Sequence, residues 1–163
     1  ENPEPDSYVT YNYADGAWSI GTLPRNVWHD AGGFRNVPFA FDNNGKLYNH
    51  ETGTSDNGSA MSAFIETGEI EIDQSGNSMF MIDKIIPDTT MTTNTNLFVQ
   101  LKTRKYPQGA ETIKGDFTVT TSTEKISTRA KGRQLAVKFS STGTTDDWSL
   151  GDFRVNARVD GMR

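Results

Sequence analysis

The 163 residues include no Cys, 15 Gly and only 34% hydrophobic side chains; this is enough chain for one compact body or two small β modules, without an apolar run long enough to cross a bilayer. Lacking Cys, the chain can form no disulfide, thiolate metal site or cysteine nucleophile. A net charge of -5 makes tight nucleic-acid binding a poor default, yet residues 1–90 carry 14 acidic and 4 basic side chains (-10) and residues 91–163 carry 7 and 12 (+5). That asymmetry suits either head-to-tail contact between copies or two solvated faces.

In chain order, Glu1-Asn2-Pro3-Glu4-Pro5 has neither the basic nor the apolar region of a signal peptide, and a soluble protein is expected. The sequence starts without Met, as a processed product or a piece of something longer would. Residues 1–6 are acidic and Pro-rich, an extended linker or arm. Four short strands are predicted over 8–13, 17–21, 37–41 and 46–50, paired as two hairpins. The turns are Ala14-Asp15-Gly16 and Asp42-Asn43-Asn44-Gly45, whose Asp-Gly and Asn-Gly steps supply the positive φ that tight turns need. The link 22–36 reads as an ordered surface loop anchored by Trp28, and the strands together as a blade-like four-stranded module at 7–58.

After the small polar stretch 52–59, strands are predicted over 61–67, 69–73, 78–86, 97–105, 116–121, 125–130, 134–140 and 153–159. So many strands predict a β-sandwich-like module at 59–163, and the chain as a whole is all-β and antiparallel. Alternation is clearest where Leu135, Val137 and Phe139 share one face, and where Phe117 and Val119 do. Glu69, Glu71 and Asp73 alternate with Ile70 and Ile72, as on a strand near an acidic edge. The predicted core is Trp18, Leu47, Ile65, Ile72, Phe80, Ile82, Ile85, Leu101, Phe117, Leu135, Val137 and Phe139.

The catalytic inventory is thin. His29 and His50 are the only histidines, and their carboxylate neighbours Asp30 and Glu51 would point to the opposite face of a strand. There is no Gly-x-Ser-x-Gly elbow, phosphate-cradling loop or His-x-x-x-His pair. Glu66 with Glu71 or Asp73 could serve a glycoside hydrolase, but a solvated acidic strand face explains them more simply. Asp42 to Gly45 lacks the alternate ligand spacing and closing Glu of a calcium loop. No cofactor or metal is expected. The basic stretches Lys102 to Tyr106 and Arg129 to Arg133 suit either phosphate contact or a subunit interface. The aromatics, Trp28, Tyr48 and Trp148 among them, suit either sugar stacking or the packing of small β modules.

A resemblance joins these parts. Residues 11–21, Arg25, Trp28 and the run 39–53 resemble a propeller blade. With Phe64-Ile65-Glu66-Thr67-Gly68, Ile85-Ile86-Pro87-Asp88, Arg129-Ala130-Lys131-Gly132-Arg133-Gln134-Leu135, Trp148 to Arg154 and the closing Asp160-Gly161-Met162-Arg163, the chain resembles the carboxy-terminal part of the tail nozzle or hub proteins of short-tailed bacteriophages. The ordered set from Arg129 to Arg163 is its distinctive part. The resemblance implies a virion protein assembled in the host cytoplasm, without catalytic residues or membrane insertion. It implies a ring of copies, a hexamer by family likeness, between portal or adaptor and distal tail proteins. Such a ring retains packaged double-stranded DNA and conducts it during ejection. A single blade cannot bury a core alone, so further blades or a packed neighbour are required. The interaction candidates are Trp28, Tyr48, Arg129, Lys131, Arg133, Trp148 and Arg154. The alternative is a carbohydrate-binding accessory module of a phage tail or cell surface.

Overall fold

Runs of β-branched and aromatic residues too short for a helix, cut by Gly and Asn turns, favour strands. The computed structural model describes residues 6–71 and 77–162, and all their regular secondary structure is strand, with antiparallel pairing throughout. The chain divides after Gly53 into two units. This is five residues before the boundary expected from sequence. Thr54 belongs to the second unit because its hydroxyl donates to the Thr144 carbonyl at 2.9 Å.

In the first unit, β1 (Ser7–Asn12) and β2 (Ala17–Thr22) form a hairpin whose turn uses Gly16 at φ 66. A separate sheet has the order β3 (Val27–His29), β4 (Phe39–Phe41), β5 (Leu47–Asn49). The single four-stranded blade predicted from sequence is therefore corrected to five strands in two sheets. Trp28 lies within β3 and not in a loop, because Val27 to His29 pair with Phe41 to Phe39 and the Asn26 amide extends the ladder to the Phe41 carbonyl at 3.0 Å. Asp42 shapes the β4–β5 turn. Its Oδ1 accepts the Lys46 amide at 2.8 Å and the Asn44 amide at 2.9 Å. These bonds, the Lys46 one foremost, hold its carboxyl below the ordinary range, helped by the Tyr48 hydroxyl and the charge of Arg25.

The second unit opens with a minimal hairpin, β6 (Ser55–Asp56) and β7 (Ser59–Ala60). The strands β8 (Ala63–Glu66), β9 (Ile70–Glu71), β12 (Leu97–Arg104), β13 (Thr112–Val119) and β15 (Gln134–Ser141) make a five-stranded sheet in the order β13-β12-β15-β8, with β9 also on β15. A three-stranded sheet has the order β14 (Ile126–Gly132), β10 (Ser78–Ile86), β17 (Arg154–Met162), and β11 (Thr89–Met91) pairs with β16 (Trp148–Leu150). The core draws Phe80, Ile82 and Ile85 from β10, Leu97, Val99 and Leu101 from β12, and Leu135, Val137 and Phe139 from β15, so both sheets contribute one apolar face.

Two of the predicted core positions are corrected. Trp18 is 70% exposed because nothing among the described residues covers its face of the hairpin, and Ile65, though opposite Phe139, is 48% exposed on the short strand β8. Leu47 and Phe117 are half-buried, and Ile72 lies outside the described residues.

Gly132 ends β14 against β12, where an added Cβ would meet Thr103 Cβ at 2.9 Å and the Arg104 carbonyl at 3.0 Å. Gly132→Ala is expected to destabilise the second unit by about 1 to 3 kcal/mol through overpacking, read as an earlier urea midpoint.

Candidate functional site

Strand alternation separates charge from core on the three-stranded sheet. Along β17, Val155 and Ala157 pack on the core while Arg154, Asn156 and Arg158 face outward. Along β14, Ala130 is buried while Arg129 and Lys131 are exposed. Register sets Lys131, Met81 and Arg158 in one row across β14, β10 and β17, and Ser127, Lys84 and Asn156 in another. Met81 is only 9% exposed, as expected where long cationic side chains lay their stems over an apolar neighbour. The outer face thus presents five cations, Lys84, Arg129, Lys131, Arg154 and Arg158, against two carboxylates, Asp83 and Asp160.

Lys131 Nζ meets Asp160 Oδ2 at 2.6 Å, and Asn156 Nδ2 donates to Asp83 Oδ1 at 2.7 Å. Arg129, Arg154 and Arg158 make no ion pair among the described residues. The hydrogen bond from Lys131 and its charge, then the charges of Arg158 and Arg129, hold the Asp160 carboxyl below its ordinary range. A depressed folded-state pKa means that this carboxylate contributes stability at pH values above its unfolded pKa. The contribution is lost as pH falls through the lower folded value. Melting temperature should therefore fall between neutral and acid pH less steeply in Asp160→Asn than in the parent, as followed by thermal unfolding across a pH series.

Three of the seven interaction candidates, Arg129, Lys131 and Arg154, meet on this face. Arg133 does not: its amide donates to the Arg104 carbonyl at 2.7 Å and its guanidinium sits 5.2 Å from the Tyr106 ring centre. Trp148, on β16, is pinned by its Nε1 to Ser141 Oγ at 2.9 Å and lines a cleft of about 310 Å³ with Phe64, Ile65, Leu150 and Asp147. Trp28 and Tyr48 belong to the first unit, in register on either side of Ala40 and so on one sheet face. Trp28 donates to Asp30 Oδ1 at 2.9 Å and packs 4.7 Å from the His50 ring, while Tyr48 is covered by Arg25 at 4.0 Å. Ser7, Tyr8, Arg25, Asn26 and Trp28 line a second cleft, of about 250 Å³.

The carboxylates weighed for hydrolysis have structural partners. Glu66 pairs with Lys102 at 2.6 Å, Glu69 with Arg104 at 2.6 Å, and Glu71 accepts from Gln134 Nε2 at 2.9 Å; Asp73 lies outside the described residues. His29 stacks on Phe39 at 4.9 Å, and its Nδ1 meets the Asp30 carbonyl, not its carboxylate.

Two surfaces escaped the sequence reading. Register places Val9 opposite Ile20 and Tyr11 opposite Trp18, giving one face of the β1–β2 hairpin a contiguous apolar patch, bordered by the Ser7–Thr22 pair, with these four side chains 65%, 81%, 49% and 70% exposed. Its signal was the apolar residue at every second position of Val9 to Tyr11 and Trp18 to Ile20. The other omission is Arg158, legible in the two-residue spacing of Arg154, Asn156, Arg158 and Asp160. No protein-family model matches the chain, and no curated protein matches it at significance.

Proposed function

We propose that this chain is a non-catalytic structural subunit of the tail of a short-tailed bacteriophage. It forms a ring-shaped nozzle or hub segment below the portal or adaptor, retains packaged DNA and conducts it during ejection. The observation that carries the assembly reading is the bare apolar face of Val9, Tyr11, Trp18 and Ile20. An isolated two-stranded hairpin is marginal in water, and a contiguous exposed apolar face marks a contact surface. Repeated heterologous contacts between copies close a ring. The ordered set from Arg129 to Arg163, with its likeness to tail nozzle proteins, supports the kind of ring. In the second unit, a core fed by two sheets supports a sandwich as the tube's wall. Immunogold labelling of virions from the source that encodes the chain tests the reading: label at one capsid vertex is expected, and label confined to the host surface overturns it.

One observation favours a second reading, a carbohydrate-binding accessory module. The cleft beside Trp28 combines aromatic Tyr8 and Trp28 with the donors Arg25 and Asn26, a composition suited to a sugar. Glycan-array binding abolished by Trp28→Ala in a folded protein would favour it.

A further inference from the structure

We infer that the outer face of the β14-β10-β17 sheet binds the phosphate backbone of duplex nucleic acid without reading its sequence. The inference rests on the tail reading for the presence of the polymer; the binding chemistry comes from the face itself.

Neighbouring strands lie about 4.8 Å apart and alternate residues along a strand about 6.7 Å apart, so Lys131 and Arg158 are separated by about 10 Å and Arg154 and Arg158 by about 13 Å. Each strand of a duplex places a phosphate every 3.4 Å or so of helix axis, so such a face lies along about four base-pair steps of the duplex. Three of the cations are arginines without an ion-pair partner among the described residues, each with a planar fork that fits two phosphate oxygens. A net charge of -5 for the whole chain does not cancel a local face, because potential at a few ångströms follows the nearest charges.

The same residues say what is not read. Asn156, whose amide could address a base edge, is committed to Asp83 at 2.7 Å. The rows across the face hold Met81 and no aromatic ring, so single-stranded bases find no stacking platform.

The test is fluorescence anisotropy of the full chain with a labelled duplex of about 30 base pairs, titrated between about 50 and 200 mM salt. Binding is expected at the low-salt end, equal for two unrelated sequences. The combined variant Arg129→Ala, Arg154→Ala, Arg158→Ala should weaken it about tenfold or more and reduce the slope of log K on log salt by about 2 to 3. The corresponding triple Lys variant, which keeps the charge and loses the forks, should keep the parent's salt slope and bind more tightly than the Ala variant. All three positions are exposed, and circular dichroism and sedimentation should be unchanged. No binding by the parent at low salt, or an unchanged slope in the Ala variant, overturns the inference whatever the chain's assembly state. A variant that alters sedimentation and leaves DNA binding intact also overturns it, making the face a contact between copies. Loss of ring assembly with duplex binding retained would instead count against the tail reading alone.

Discussion

Replacing Phe139 by Ala is expected to lower the unfolding free energy of the second unit by about 3 to 5 kcal/mol, the lost transfer energy plus the cavity left behind. Phe139 is fully buried, paired with Val99 on one side and Ile65 on the other, and its ring lies 5.0 Å from Phe153. β15 is held on both edges, which restricts how far the backbone can collapse into the void. Urea unfolding followed by Trp148 fluorescence, with Trp18 and Trp28 replaced by Phe, isolates this unit. Ile65→Ala on the neighbouring strand provides the contrast, with a cost of about 1 kcal/mol or less because half of that side chain already meets water. Equal costs would mean that the core does not lie where the two sheets place it.

The second large effect concerns assembly. Placing Lys at both Trp18 and Ile20 puts two charges at the centre of the hairpin's apolar face and should convert the assembled form to single copies in sedimentation velocity. Unpaired charge in a desolvated contact is costly. The opposite face of the hairpin, where Thr10 lies across from Ser19, is the internal control, and Thr10→Lys should leave assembly unchanged. Both positions lie on exposed strands, so the fold itself should persist, as circular dichroism can check.

The all-β class and the central strands were legible because burial on one side imprints a period of two. β10 spans the 78–86 predicted for it, and β15 with Leu135, Val137 and Phe139 inward follows its alternation. Strands β11 and β16 were not legible: Thr-Thr-Met and Trp-Ser-Leu are too short to show a period and exist because they pair with each other. Trp18 occupies a repeated apolar position of its strand, which predicts burial, but alternation says only which residues share a face and not whether anything covers it. The basic face was half legible. Arg129 and Lys131 stand out in a basic stretch, and Arg154 belongs to the ordered set that carries the resemblance. Their meeting depends on β10 lying between β14 and β17, a pairing set by long-range packing and absent from local sequence.

Native mass spectrometry of the purified full chain, with imaging of the same sample, tests the central claim most directly. The account predicts a closed ring of several copies that dissociates when Trp18 and Ile20 are both replaced by Lys. A monomer that persists at high concentration with the parent sequence would contradict it.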